Sequence, residues 1–180
     1  MLSIRILLVG NSVPLYLDIH SIFAILFPTT HDHKFIDKID TSTTNIQIPD
    51  RTCNDFNYKV FDFLRFTFLK YLDIGDYCFC SVNIFVLDGL SSLTTLTNGN
   101  KSFTSMWNGI SEYTKADNKS RAFHIVNCSQ LKSIEIGENS FCDYAGGFEL
   151  RNLPKLFSIH LKGYNFCFSS FVIDGNDCKW

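Results

Sequence analysis

A set of apolar residues recurs along this chain at a long, nearly fixed period, and no other feature constrains the fold as strongly. The stretch LKSIEIGENSF, residues 131–141, shows one copy. Its apolar residues Leu131, Ile134, Ile136 and Phe141 are spaced by three, two and five. That spacing matches neither the 3.6-residue period of a helix nor the alternation of a single strand. It matches one turn of a coil whose turns stack and share a core.

Each copy opens on a Phe. The anchors are Phe61, Phe85, Phe123 and Phe148, and a fifth copy, FVIDGNDCKW, opens at Phe171 and is short. They fall 24, 38, 25 and 23 residues apart, the long interval holding an insertion at 104–122. Two residues past the anchor come Phe63, Leu87, Ile125, Leu150 and Ile173. Eight past come Leu69, Leu93, Leu131 and Leu156; eleven past come Leu72, Leu96, Ile134 and Ile159. Thirteen past come Ile74, Asn98, Ile136 and Leu161, and eighteen past come Phe79, Phe103, Phe141 and Phe166. Asn98 alone breaks these columns. A more degenerate copy, NIQIPDRTC, aligns Ile46, Ile48 and Cys53 with Ile134, Ile136 and Phe141. IRILLVGN, with Ile4, Leu7 and Val9, repeats the rhythm more weakly.

The predicted fold is a mainly-β repeat solenoid with short strands, turns and little helix. Each copy carries two segments of period two, one at the opening Phe and one such as SIEIG, so each sends alternate side chains inward. Gly75, Gly99 and Gly137 close the second segment, where a turn with positive φ is expected. Asn-Leu-Pro at 152–154 disfavours a long helix. The organisation is a degenerate apolar segment over 1–35 and a solenoid over 36–180. The coil is expected to be right-handed and elongated, with buried Phe ladders.

These residues resemble the leucine-rich repeats. LKSIEIGENSF fits the core pattern LxxLxLxxNxF, and a period near 23 with Ile-Gly, Ser-Phe and Leu at their places looks like the BspA-like (Treponema-type) variety. The resemblance covers residues 61–173 well and 36–60 loosely. It implies a curved solenoid that binds other proteins, in a family whose bacterial and protist members are often surface-exposed.

Alternation also places the outward residues. Asp73, Thr97, Glu135 and His160 form one column on the second strands, and Tyr71, Thr95, Ser133 and Ser158 form another. In repeat proteins such a face is the usual binding surface; it is also polar by default wherever a sheet meets water. The insertion adds Met106, Trp107 and Tyr113. Aromatic side chains on a loop either anchor a partner or cover the flank of the coil. The expected binding residues are therefore both columns together with Trp107.

Other classes find little support. Net charge is −2 with Lys and Arg scattered, so no basic patch points to nucleic acid. The sequence lacks GxSxG, a phosphate-cradling glycine loop and HExxH, and His124 and His160 fall in different columns. No enzyme activity and no cofactor are expected. The seven Cys include three in one column, Cys80, Cys142 and Cys167, with Cys142 and Cys167 on neighbouring turns. A disulfide or a shared metal is geometrically open to that pair, but a line of sulfurs is not the tetrahedral set that zinc needs. Cys as a small buried apolar residue is the expected role, and Cys128 at an apolar column supports it. Free thiols favour a reducing, cytoplasmic setting over secretion or the cell surface. Three glycosylation triplets, at Asn100, Asn118 and Asn127, matter only in a secretory route. His31-Asp32-His33 lacks a third ligand and reads as a solvated loop.

Asn11, Pro14, Asp18 and His20 interrupt the apolar N-terminus, so no membrane insertion and no signal-peptide core are expected. The turn opened at Phe171 halts before its second strand. The preceding turn is thus expected to expose strand edges and apolar surface, which invites either further repeats or self-association through that C-terminal turn. Asp174, Asp177 and Lys179 are placed to blunt that edge.

Overall fold

A computed structural model describes residues 23–25, 33–105, 119–167, 169 and 171–174. It is a mainly-β solenoid of about five turns. The strands are β1 (Phe23–Ile25), β2 (Asn45–Ile48), β3 (Val60–Asp62), β4 (Tyr71–Ile74), β5 (Ile84–Asp88) and β6 (Thr95–Asn98). They continue with β7 (Ala122–Val126), β8 (Ser133–Ile136), β9 (Phe148–Arg151), β10 (Ser158–Leu161) and β11 (Phe171–Asp174). Among the described residues the one helical element is a 3₁₀ segment, His33–Lys38. The strands form two sheets, ordered β1-β2-β4-β6-β8-β10 and β11-β9-β7-β5-β3. All the pairings are parallel, so each turn contributes one strand to each sheet.

The register is the one the columns predict. Phe61 pairs with Phe85, Phe85 with Phe123, and Phe123 with Phe148. Leu72, Leu96, Ile134 and Ile159 align in the other sheet, and Ile46 precedes them on β2. Parallel strands force this economy. An inward residue meets only its equivalents one turn above and below, so each column needs one residue class throughout.

Two aromatic stacks fill the space between the sheets. Phe61, Phe85, Phe123 and Phe148 lie nearly parallel, with successive ring centroids 4.8, 4.7 and 5.0 Å apart. Phe79, Phe103, Phe141 and Phe166 do the same at 4.9, 4.7 and 5.0 Å. The two stacks meet edge to face, as Phe123 and Phe141 do at 4.9 Å and 80°, the geometry that the ring quadrupole favours. Phe79, Phe103, Phe141 and Phe166 all hold a positive φ, each in a turn and without a glycine.

 In chain order the four values are 57°, 55°, 55° and 50°. Cys53 takes the same left-handed conformation at 58°, which confirms NIQIPDRTC as a turn of the coil. A left-handed backbone is costly for a bulky side chain. Here it turns each Phe into the core, where all four are at most 2% exposed.

Gly75, Gly99 and Gly137 correct one expectation. Among the described residues the glycines with positive φ are Gly89, Gly147 and Gly163, not these three. They are required because the turns approach closely. A Cβ on Gly99 would lie 2.6 Å from the Gly75 carbonyl carbon, and one on Gly137 would lie 2.5 Å from that of Gly99. Their amides donate to Ile48, Ile74 and Asn98 carbonyls of the preceding turn at 2.8, 2.7 and 2.7 Å. At these three positions a Cβ would force the neighbouring backbone to shift.

Asn98 sits where the column demands an aliphatic residue. It is 3% exposed and lies in register between Ile74 and Ile136. Its Nδ2 donates to the Gly99 carbonyl at 2.9 Å, but its Oδ1 has no partner. An orphan buried acceptor costs about 1–3 kcal/mol. Asn98→Ile is therefore expected to raise stability by about 1–2 kcal/mol, read as a higher midpoint in urea denaturation. A lower midpoint would show that the carbonyl oxygen is satisfied in solution.

Polar side chains carry the register through the turns as well. Asp50 Oδ1 accepts from the Asp76 amide at 2.8 Å, Asp76 Oδ1 from the Asn100 amide at 2.6 Å, and Asn100 Oδ1 from the Glu138 amide at 2.8 Å. Asn100, the first residue of a glycosylation triplet, is thus already engaged. Inside that line, Ser102 Oγ accepts from the Cys78 amide at 3.0 Å and Ser140 Oγ from the Ser102 amide at 3.1 Å.

Candidate functional site

The outward columns of the six-stranded sheet lie where alternation puts them. Leu72 and Ile74 point inward on β4 while Tyr71 and Asp73 are exposed. On β6 and β8 the outward residues are half-buried. Tyr71, Thr95, Ser133 and Ser158 are in register, as are Asp73, Thr97, Glu135 and His160. Parallel neighbours are spaced by about 4.7–4.9 Å, so the eight side chains form two straight rows. Trp107, with Met106 and Tyr113, lies outside the described residues.

The rows are one turn longer than sequence reasoning drew them. Asn45 pairs with Tyr71 and Gln47 with Asp73. The signal was present in NIQI: with Ile46 and Ile48 inward, Asn45 and Gln47 must face out. Gln47 Nε2 donates to Asp73 Oδ2 at 3.3 Å. Lys162 was also missed. It stands in the position of Gly75, Gly99 and Gly137, and its Nζ donates to Glu135.

The two carboxylates of the strip differ electrically. Desolvation, and then the nearby Asp50 charge, push the Asp73 carboxyl above its ordinary range, against the Gln47 hydrogen bond. The hydrogen bond from Lys162 holds the Glu135 carboxyl below its range. Folded Asp73 binds its proton more tightly than the unfolded chain does. Its contribution therefore opposes folding as pH rises through the carboxylate range. The Glu135–Lys162 pair is solvent-exposed, so it adds little stability and orients the carboxylate on the face.

The other sheet presents a different surface. His124 Nδ1 and Glu149 Oε2 are 2.9 Å apart, and Arg151 Nε donates to Glu149 Oε1 at 3.0 Å. His124 and His160 are on different sheets, as their columns required.

A second polar cluster is buried. Arg121, near the end of the expected insertion, is 3% exposed and pairs with Asp143. Its Nη2 donates to the Cys80 and Val82 carbonyls at 3.0 and 2.6 Å, and its guanidinium lies 4.9 Å from the Tyr144 ring centroid. Ser105 Oγ donates to Asp143 Oδ2 at 2.5 Å. Ser105 and Arg121 flank residues 106–120, so one carboxylate gathers both feet of the insertion. β7 itself opens on Ala122. Sequence reasoning missed this pair because Arg121 lies outside the periodic columns.

Of the cysteines, Cys53, Cys78, Cys80, Cys128 and Cys142 are buried thiols. Cys167 is exposed, which corrects the expectation of a buried apolar role at that position. Among the described residues no group of three His, Cys, Asp or Glu could hold a metal ion. His31 and Asp32 lie outside those residues, and His33 opens the 3₁₀ segment. No described helix is long and apolar enough to cross a membrane.

Comparison with protein-family models, with curated proteins and with solved structures finds no match for this chain.

Proposed function

We propose that the chain is a non-catalytic protein-binding module, a leucine-rich repeat of the BspA-like kind, that takes its partner on the exposed face of the six-stranded sheet. The observation that supports it is the straight, in-register strip from Asn45 and Gln47 to Ser158 and His160. Its polar side chains repeat at one spacing on a rigid support, so a partner that matches several turns is held without loop ordering. The family reading rests on the fit of residues 131–141 to LxxLxLxxNxF.

The test is affinity capture with the immobilised chain, followed by mass spectrometry. Asp73→Lys with Glu135→Lys changes the charge of the strip at two exposed or half-buried sites, so stability is expected to move by no more than about 1 kcal/mol. Capture of the partner should be lost. Capture that survives the double change but fails with Trp107→Ala would place the site on the insertion instead.

A structural role, as a spacer or a piece of a longer repeat array, is the second reading. The last described turn favours it. Phe157 and Tyr164 are each 79% exposed there, and among the described residues β10 is the last strand of its sheet. Stacking of further turns, or of a second copy, would cover them.

A further inference from the structure

We propose that Cys142 and Cys167 form a reversible disulfide that staples the last described turn to the one before it. Each Cys directly follows a Phe of the second aromatic stack. Phe141 and Phe166 share the left-handed backbone, with φ of 55° and 50°, and their rings stack at 5.0 Å and 9°. The chain therefore leaves both Phe residues in the same direction, one turn apart. The spacing of neighbouring turns, about 4.7–4.9 Å, falls within the range of roughly 4.4–6.8 Å between Cα atoms that a disulfide spans.

The pairing is selective. Thr104 occupies the same column on the turn between Cys80 and Cys142. Cys80 is thus two turns from Cys142, about 9–10 Å by the same spacing, and out of reach. Cys53, Cys78 and Cys128 are each fully buried.

Accessibility sets the order of events. Cys167 is exposed, whereas Cys142 is 4% exposed and its thiol donates to the Tyr164 carbonyl at 3.2 Å. Burial, and then the neighbouring Cys167, push the Cys142 thiol up to about 12. A small-molecule disulfide such as oxidised glutathione therefore meets Cys167 first. The Cys167 thiolate attacks one of its sulfurs, releasing one glutathione and leaving a mixed disulfide. Cys142 then loses its proton and attacks the Cys167 sulfur, expelling the second glutathione. Two protein thiols are oxidised to one disulfide, and one glutathione disulfide is reduced to two thiols. The staple would hold in place the turn that exposes Phe157 and Tyr164.

The full chain is incubated with oxidised glutathione, alkylated in denaturant without reductant, and mapped by proteolysis and mass spectrometry. The expected product is a cross-linked peptide joining Cys142 to Cys167, reversed by dithiothreitol. Amide exchange over residues 158–161 should slow by about a hundredfold on oxidation, the effect of closing a loop of this size, and should not change in Cys167→Ser. In Cys142→Ser, Cys167 should stop at the mixed disulfide. A wild-type chain that retains glutathione on Cys167, links Cys167 to Cys178, or leaves both thiols free would overturn the proposal.

Discussion

Phe141→Ala is expected to lower the unfolding free energy by about 3–5 kcal/mol. Phe141 is fully buried. Its ring stacks between Phe103 and Phe166 at 4.7 and 5.0 Å and meets Phe85, Phe123 and Tyr144 edge to face at 5.6, 4.9 and 4.9 Å. Truncation removes all five ring contacts. Collapse cannot close the cavity, because hydrogen bonds in both sheets fix the spacing of the turns. The backbone penalty at φ 55° remains, without the buried ring that offsets it. Urea denaturation with constant slope would read the loss as a shift in midpoint. A loss below about 1 kcal/mol would mean that the second aromatic stack does not support the coil.

Arg121→Ala is expected to cost a similar amount, about 3–5 kcal/mol, for a different reason. The Arg121 and Asp143 side chains are 4% and 11% exposed. Removing the guanidinium leaves a carboxylate in the interior whose Oδ1 already lacks a partner. The Cys80 carbonyl loses a donor, while the Val82 carbonyl keeps the Tyr144 hydroxyl at 2.8 Å. Arg121→Met with Asp143→Leu should recover most of the loss, since apolar groups of similar size replace a buried ion pair at little cost. A double-mutant cycle in urea measures both effects. Equal losses in the single and double variants would show that packing, not charge, dominates at this site.

Stacking explains how much of this fold was legible. Because each inward position meets its own equivalents, the columns of Phe, Leu and Ile appear in the sequence as a period, and the paired strands follow from it. The outward rows come from the same alternation, and Asn45 and Gln47 needed only one more application of it. What the period could not show is what happens between columns. Gly99 is needed at its position, but sequence alone does not separate positive φ from close approach, and the cause is close approach. Arg121 belongs to an insertion and finds Asp143 on the next turn, so no regular spacing announces the pair. Cys167 shares a column with Cys142 and is nevertheless exposed, because burial at that column depends on what covers the turn. A strip of Thr, Ser, Asp, Glu and His fixes where a partner can lie. It does not name the partner, since solvated sheet faces draw on the same residue types.

Parallel turns that stack in register are what align the strip. Scalar couplings across backbone hydrogen bonds, measured by NMR on the labelled chain, test that stacking most directly. Couplings are expected from the Gly99 nitrogen to the Ile74 carbonyl carbon, from Gly137 to Asn98, and from Lys162 to Ile136, matching N–O distances of 2.7, 2.7 and 2.9 Å. Couplings that instead join these amides to carbonyls in antiparallel register, or to other turns, would contradict it.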